Sequence, residues 1–236
     1  MSNTSFLEHI SDLRKTVFRC VLAFIIFYPV GFFLAPYCIN LLVSWTFPEN
    51  MQHLSYFTPM EVFILQLKLG GIIAFFFAFP YTLLQILKFL SPALYDNERK
   101  LLKWSILTSS FLFILGAFFC LYLMLPLVIK FSLSFSTPQL QPVLGVGNFI
   151  NLCSWLMLAF GIMFQFPMLV IALVKLGIIS VKSLKDKRPY IIVIILILSA
   201  LLTPPDVISQ ILLALPTYIL FEVGLFFARN FEATKG

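Results

Sequence analysis

The stretch EVFILQLKLGGIIAFFFAFPYTLLQILKFL, Glu61–Leu90, decides the class of fold. It holds 30 residues, and only Glu61, Lys68 and Lys88 among them carry charge. As a straight α-helix it would extend about 45 Å, whereas the hydrocarbon core of a bilayer is about 30 Å thick. The run therefore predicts a membrane-crossing helix that tilts, bends at Pro80 or projects from the bilayer. Its continuity argues against a transmembrane β-barrel, whose strands alternate apolar and polar residues.

The whole chain has the composition of a polytopic membrane protein. Of its 236 residues, 61% are hydrophobic and 11% are charged, whereas a soluble domain carries about a quarter charged residues. The mean hydropathy is +1.01. The four cysteines and two histidines lack the spacing of metal ligands, and no phosphate-binding glycine loop or nucleophile motif occurs. We therefore expect an all-α integral membrane protein with no catalytic residues, no cofactor and no metal.

Six apolar runs predict six transmembrane helices in a single membrane domain that covers 1–236. We place the helices at 17–37, 61–90, 102–131, 149–176, 190–202 and 207–228. The fifth run rises only about 20 Å as a helix, less than an ordinary hydrocarbon core. The last two helices are therefore expected to be short. A re-entrant hairpin is the alternative, but the basic residues at both outer ends favour short crossing helices.

The segment Asn3–Lys15 precedes the first apolar run and has the pattern of an amphipathic helix. Phe6, Ile10 and Leu13 fall on one helical face, and polar residues occupy the others. Ser5 begins a capping-box pattern that favours a helix start here. The segment is therefore predicted to be an interfacial amphipathic helix.

The distribution of Lys and Arg predicts the orientation of the chain. Six spans place both termini on one side, and 14 of the 16 basic residues lie on that side; Lys68 and Lys130 are the exceptions. By the positive-inside rule, both termini are expected in the cytoplasm. The net charge of +6 then reflects topology, and nucleic-acid binding is not expected.

The polar island FLSPALYDNERK, Phe89–Lys100, lies on the predicted cytoplasmic side between the second and third spans. One interpretation is structural: Asp96 or Asn97 caps the next helix, and Glu98 lies in its first turn. The functional interpretation is that Glu98 binds a basic ligand together with the N-terminal segment, which offers Glu8 and Asp12 on the same predicted side. A carboxylate pairs with an arginine through two parallel hydrogen bonds, a geometry that lysine cannot copy.

Polar side chains within the spans are functional hypotheses by default. Gln165 lies mid-span beside Pro167, where a helix–helix hydrogen bond is the simpler interpretation. Glu222 lies in the last span, near its predicted cytoplasmic end. Asp206 begins that span and can cap it, and Gln210, one turn later, can bond a partner helix.

Several motifs together resemble the TatC family, the multi-spanning core of the twin-arginine protein translocase. In family order along essentially the whole chain, they are HISDLRK, FTPMEVF, FLSPALYDNERK, KRPY, LLTPPDVISQ and ALPTYILFEVGLF. The resemblance implies that the N-terminal segment and the first cytoplasmic loop bind twin-arginine signal peptides. Carried over residue by residue, it implies signal-peptide contacts at Asp12, Arg14, Phe89, Pro92, Leu94, Tyr95, Glu98 and Arg99.

Two positions depart from the family pattern. Asp12 stands where the family usually has Glu, which keeps the charge but shortens its reach by one methylene. Gln165 aligns with an acidic residue of the family in the fourth span. The resemblance also implies that the region with Thr203, Asp206 and Gln210 meets single-span partner helices.

The resemblance implies a multi-pass protein of the inner membrane that is not an enzyme. Its partners would be TatA- and TatB-type single-span proteins, other TatC copies, the lipid bilayer and the signal peptides of folded cargo, with transport driven by the proton-motive force. The main alternative is a proton- or ion-coupled small-molecule permease, although no repeat and few midplane polar groups are evident. An intramembrane hydrolase is a weaker alternative, since His9 and His53 lie outside the spans.

Overall fold

The computed structural model describes residues 2–47, 54–90, 99–134, 145–175, 177–203 and 207–232. This part of the chain is helical apart from turns and one isolated bridge between Ser55 and Gly145. In chain order, the elements are α1 (Ser2–Thr46), α2 (Glu61–Leu90), α3 (Arg99–Phe119), a π-helical turn (Cys120–Met124), α4 (Leu125–Leu133), α5 (Val146–Met163), α6 (Phe166–Lys175), α7 (Val181–Asp186), α8 (Arg188–Leu202) and α9 (Val207–Glu232).

Five helical segments are long and apolar enough to cross a membrane, and α8 is a shorter apolar helix. The five are Ile10–Thr46, Glu61–Phe89, Trp104–Leu133, Val146–Lys175 and Val207–Arg229. Large apolar side chains cover their outer surfaces, as expected where lipid rather than water is the solvent. The predicted all-α membrane fold is therefore confirmed.

The chain folds as two compact units. The N-terminal unit consists of Met1–Phe111 and Gly145–Ile150, and the C-terminal unit consists of Leu112–Leu144 and Asn151–Gly236. The boundaries fall inside α3 and α5. The single domain expected over 1–236 stays a prediction.

The first helix, α1, is longer than predicted. The segment before the first span is helical, as its apolar spacing indicated, but it continues into the span without a break. The helix also passes Tyr37, its predicted end, and reaches Thr46, so Trp45 is helical instead of lying in a loop. The residues after Tyr37 remain mostly apolar, and a helix satisfies their backbone polar groups internally.

In the N-terminal unit, α1 and α2 pack through small residues. A Cβ at Gly31 would collide with the carbonyl oxygen of Gly70, and a Cβ at Gly70 would lie 2.9 Å from the Cα of Phe32. Nearby, Ala35 and Ala74 are fully buried. Such close backbone approach is the usual way in which helices associate within lipid, where apolar burial alone provides little driving force.

A π-helical turn interrupts the third predicted span, 102–131. The Leu125 N–H donates to the Cys120 carbonyl, five residues back. The next residue, Pro126, has no N–H to donate, so an ordinary helical register would leave a carbonyl unpaired. The wider turn shifts the register at this point, and α4 then begins with Pro126 in its first turn.

The fourth predicted span, 149–176, is divided into α5 and α6. Phe164 and Gln165 form a turn between them, and the Gln165 N–H donates to the Ile162 carbonyl at 3.0 Å. Pro167 lies in the first turn of α6 and supplies no N–H. This loss costs little at a helix start, because the first N–H groups of a helix have no partner within it.

Only one of the final two helices is short. With 15 residues, α8 rises about 22 Å, as predicted. With 26 residues, α9 is long enough to cross a membrane and continues beyond its predicted end at residue 228. The four added residues, 229–232, are mostly polar, so the helix extends beyond the apolar run that the prediction followed.

A six-residue helix that the sequence analysis did not predict, α7, joins α6 to α8. Gly177 ends α6 with a φ of 73°, the left-handed conformation that glycine adopts most readily. The Gly177 and Ile178 N–H groups donate to the carbonyls of Val174 and Leu173 at 3.0 Å, which is a Schellman end. The Ser180 hydroxyl then caps α7 by accepting from the Ser183 N–H at 3.1 Å.

The core of the C-terminal unit lies among α6, α7, α8 and α9. Its buried members are Val170, Val174, Val181, Leu184, Ile195, Ala214, Phe221, Leu225 and Ala228. At the crossing of α6 and α9, a Cβ at Gly224 would lie 2.7 Å from the Cα of Pro167. Val181 and Leu184 of α7 share this core with residues of the last turns of α9, so the core anchors α7 to α9.

Candidate functional site

The N-terminal segment presents its charged side chains at the surface of α1. Asp12 and Lys15 form an ion pair of 3.5 Å, and their side chains are 65% and 63% exposed. Arg14 is exposed as well. An exposed pair at this spacing contributes roughly 0.3–0.5 kcal/mol, so it holds Asp12 only weakly. The Asp12 carboxylate is therefore accessible to another cation.

The structure describes only the ends of the polar island. Phe89 lies half-buried in the last turn of α2, and Arg99 is the first residue of α3. Pro92, Leu94, Tyr95 and Glu98 lie outside the described residues, as does Asp206 in the loop before α9. The predicted grouping of Asp12 with Glu98 thus stays a prediction.

Glu61 links two helix starts in the N-terminal unit. Its Oε2 accepts from the Phe57 N–H at 2.6 Å and from the Thr58 N–H at 3.3 Å. Its Oε1 accepts from the Gly147 N–H at 3.1 Å. The first N–H groups of a helix have no partner within that helix, and Gly147 lies in the first turn of α5. One carboxylate thus caps both α2 and α5.

This double cap was missed by the sequence analysis, although half of its signal is visible. Thr58-Pro-Met-Glu61 has the spacing of a capping box, in which a Glu three residues after the cap accepts from the cap's N–H. The contact with Gly147 spans 86 residues and has no local signature. A Cβ at Gly147 would collide with Glu61 Oε1, so glycine provides the space for this contact.

Three polar side chains form a cluster between α8 and α9 in the C-terminal unit. Arg188 donates to Glu222 Oε2 at 2.7 Å, and the Tyr218 hydroxyl donates to Glu222 Oε1 at 2.9 Å. The Arg188 and Glu222 side chains are 43% and 32% exposed. Glu222, predicted as an intramembrane polar residue, therefore has a charged partner. The motif KRPY contains that partner, but sequence spacing alone could not pair residues of two different helices.

Thr203 and Gln210, two of the residues predicted to contact partner helices, make hydrogen bonds in the same part of the C-terminal unit. The Thr203 hydroxyl is buried and donates to the Ser199 carbonyl at 2.8 Å. The Gln210 amide donates to the Leu196 carbonyl at 3.1 Å. Gln210 thus ties the start of α9 to α8, while the arginine cluster ties the pair at its other end. Partner contact by these residues stays a prediction.

Gln165 lies half-buried in the turn between α5 and α6. The ring of Phe119, just before the π-helical turn, contacts the rings of Phe160 and Phe164 at centroid distances of 5.7 and 5.5 Å. Two helix irregularities therefore meet within the C-terminal unit, and both accompany a proline. The polar residue at this break is an uncharged amide.

No group of three or more His, Cys, Asp and Glu side chains comes together within the described part of the chain.

The comparisons with known proteins agree with one another. A family model described as "Sec-independent protein translocase protein (TatC)" matches residues 8–216. The Sec-independent protein translocase protein TatC of Haemophilus influenzae is 34% identical over 96% of this chain and 89% of its own length. The protein of the same name from Escherichia coli K12 is 33% identical over 98% of this chain and 90% of its own.

A solved structure is similar over nearly the whole chain. It is described as the crystal structure of the twin arginine translocase receptor TatC, and it superposes with a TM-score of 0.82 at 32% sequence identity. The match covers 94% of this chain and 99% of that one.

Proposed function

Since this chain belongs to the TatC family of Sec-independent protein translocase components, we propose that it is the subunit that binds twin-arginine signal peptides. Family membership makes it a multi-pass membrane component of a protein translocase and not an enzyme. It also decides against the permease and hydrolase alternatives.

The exposed Asp12 carboxylate carries the proposal. It is held by one exposed lysine at 3.5 Å, and a lysine offers a carboxylate a single point charge. An arginine offers two parallel hydrogen bonds of fixed geometry. A signal peptide with paired arginines therefore replaces Lys15 at Asp12 with a gain in hydrogen bonding. Glu98 is proposed to receive the second guanidinium group.

The proposed ligand also fits the distribution of charge along the chain. The C-terminal unit carries Lys182, Lys185 and Lys187 close together on and after α7, and such a surface repels a cationic peptide. The N-terminal segment supplies Asp12 beside Arg14 and Lys15, so recognition there is local and depends on one acid. The neighbouring bases shape the site but do not provide its affinity.

We further propose that both termini lie in the cytoplasm and that the protein resides in the inner membrane, following the placement of 14 of its 16 basic residues. TatA- and TatB-type single-span proteins and other copies of this chain are the proposed partners. They would contact the α8–α9 pair near Thr203, Asp206 and Gln210. Folded cargo would then cross at the expense of the proton-motive force, and the short α8 would thin the adjacent bilayer.

The experiment measures binding of a labelled signal peptide to the full chain in detergent or nanodiscs. Peptides with Arg-Arg and Lys-Lys are compared on wild type, Asp12→Ala and Glu98→Ala. Hydrogen bonds to charged groups contribute about 1.5–3 kcal/mol, so each alanine variant should weaken Arg-Arg binding about tenfold or more. Asp12→Glu should preserve binding.

Asp186→Ala is the matched control because it removes an exposed Asp from the C-terminal unit. It should leave signal-peptide binding unchanged. Equal binding of Arg-Arg and Lys-Lys peptides, together with wild-type affinity in both Asp12→Ala and Glu98→Ala, would overturn the proposal.

A further inference from the structure

The short helix α7 has one apolar face and one basic face. Val181 and Leu184 are buried in the core of the C-terminal unit. Lys182 is exposed and Lys185 is partly exposed. Residues three apart in a helix are neighbours on its surface, so these two lysines point away from the core together.

Three further basic residues lie close to this face. Lys187 and Arg188 follow α7 directly in the chain. Arg229 follows Ala228, which is buried in the same cluster as Leu184, so the end of α9 brings Arg229 to the same end of the unit. We call Lys182, Lys185, Lys187, Arg188 and Arg229 the α7 basic face.

The charges of this face are not neutralised within the part of the chain that the structure describes. There, Lys182, Lys185, Lys187 and Arg229 make no ion pair or side-chain hydrogen bond, while Arg188 binds Glu222. The Arg188 Nε atom is buried and lacks a hydrogen-bond partner. Asp186 is the one described acid within α7. The face therefore carries an excess of positive charge.

The surrounding structure makes the face rigid and places apolar groups beside it. Gly177 and the Ser180 cap fix the turn into α7, and the bond to Glu222 fixes Arg188. Ile178 and Tyr190 flank α7 and are 63% and 71% exposed. Exposed Tyr next to basic residues is typical of the level where lipid headgroups meet acyl chains.

We propose that the α7 basic face binds the phosphate headgroup of an anionic phospholipid, either phosphatidylglycerol or cardiolipin. The positive-inside rule accounts for basic residues on this side. It does not require four basic residues, none of them in an ion pair within the described part of the chain, to lie around a capped helix with exposed apolar flanks. A phosphodiester supplies the missing negative charge, and its acyl chains cover Ile178 and Tyr190. This lipid site is separate from the proposed signal-peptide site on α1.

The test is retention of lipid by the full chain in native mass spectrometry, after purification in detergent and addition of phosphatidylglycerol, cardiolipin or phosphatidylcholine. Wild type should retain the two anionic lipids and lose phosphatidylcholine. Each lysine near an anionic lipid contributes about fivefold in affinity, so the variant K182Q/K185Q/K187Q should bind the anionic lipids at least about tenfold more weakly. Higher salt should weaken wild-type binding.

Two control variants separate the site from general charge and from folding. K182R/K185R/K187R keeps every charge and should retain the lipid. K15Q/R19Q/K130Q removes three basic residues elsewhere in the chain and should retain it as well. Signal-peptide binding is measured on the same K182Q/K185Q/K187Q preparation. If the variant still binds the peptide, it is folded, and its loss of lipid reflects the lipid site and not the proposed receptor function.

Three outcomes would overturn the proposal. The first is equal retention of anionic lipid by wild type and K182Q/K185Q/K187Q. The second is equal weakening in K15Q/R19Q/K130Q, which would indicate a response to net charge. The third is competition by inorganic phosphate or glycerol phosphate at concentrations similar to that of the lipid, which would indicate a general anion site.

Discussion

The α1–α2 pair of the N-terminal unit and the α8–α9 pair of the C-terminal unit are held together by different contacts. In the N-terminal unit, α1 meets α2 where Gly31 faces the backbone of Gly70. In the C-terminal unit, α8 and α9 are joined by side chains, through Gln210 near the loop and through Arg188 and Glu222 at the other end. Lipid provides little apolar driving force for either contact. The first contact therefore depends on volume, and the second depends on hydrogen bonding and charge.

The largest expected effect is on the glycine crossing. Gly31→Leu places a side chain against the Gly70 carbonyl oxygen, which belongs to a helix backbone and cannot move independently. Overpacking of this kind costs about 3 kcal/mol or more when backbone must shift. We expect a large loss of thermal stability in detergent, measured by size-exclusion chromatography after heating.

Gly71→Ala is the matched control at the neighbouring position. Its Cβ would lie 3.6 Å from the ring of Tyr28 and 3.7 Å from that of Phe24, which are ordinary contacts. It should melt close to wild type. A wild-type melting profile for Gly31→Leu would show that α1 and α2 do not depend on their close approach.

The second effect concerns the polar cluster of the C-terminal unit. Glu222→Gln leaves Arg188 without its charged partner, and since both side chains are about a third or more exposed, we expect a cost of only about 1–2 kcal/mol. R188Q/E222Q should cost less than the sum of its single variants, with a coupling of about 1 kcal/mol, because both changes remove the same contact. Thermal unfolding of the four proteins in one detergent measures this coupling.

Tyr218→Phe tests a single hydrogen bond of the same cluster. It removes the bond to Glu222 Oε1 but leaves the ion pair, so it should cost about 0.5–1.5 kcal/mol.

Strict additivity of the two changes in R188Q/E222Q would contradict the view that polar side chains tie α8 to α9 as one cluster.

Glu61 tests how far this contrast extends, because it is a polar contact in the unit where α1 and α2 pack through glycines. Glu61→Ala removes the cap of both α2 and α5 and should cost about 1–2 kcal/mol, in line with other cap deletions. Gly147→Ala should destabilise wild type by a smaller amount, since its methyl group meets only the end of the Glu61 side chain.

The same methyl group should be harmless in the Glu61→Ala background, because the carboxylate that it displaces is gone. Thermal unfolding of the two single variants and the double variant provides the comparison. An equal cost of Gly147→Ala in both backgrounds would show that the Glu61–Gly147 contact does not hold α5.

The elements of this fold were largely predictable because long apolar runs and helix propensity act over short distances. The predicted bounds of the second span, Glu61–Leu90, are those of α2. The end of α1 was predicted nine residues too early, since Pro36 and Tyr37 resemble a helix end although lipid favours continued helix. The helix α7 was missed because six residues carry too little periodicity to identify.

The partners of the polar residues were less predictable than the helices. Glu222 was singled out for its polarity, but its bond to Arg188 joins positions 34 apart in the chain. Asp12 and Lys15, by contrast, lie at the i,i+3 spacing at which neighbours on one helix meet. Local spacing thus predicts contacts within a helix, whereas contacts between helices depend on crossings that a single sequence does not specify.

The smallest effect on stability is expected at Asp12, and it distinguishes the Asp12–Lys15 pair from the Arg188–Glu222 pair. Asp12→Asn and Lys15→Gln should each change the unfolding free energy by no more than about 0.5 kcal/mol, because both side chains are nearly two-thirds exposed. Their effects on the proposed ligand should nevertheless be opposite. Asp12→Asn removes the acceptor and weakens binding of the Arg-Arg peptide, whereas Lys15→Gln removes a competitor for that acceptor and strengthens binding about twofold.

Peptide titration and thermal unfolding of the same preparations distinguish these roles. If Lys15→Gln weakens peptide binding as much as Asp12→Asn does, Lys15 supports the ligand instead of competing with it, and Asp12 is not the acceptor that the proposed function requires. If stability falls instead by about 2 kcal/mol in either variant, the Asp12–Lys15 pair is a structural contact like that of Arg188 with Glu222. The distinction rests on exposure: a carboxylate whose partner is exposed and mobile can exchange that partner for a ligand, and one fixed between two helices cannot.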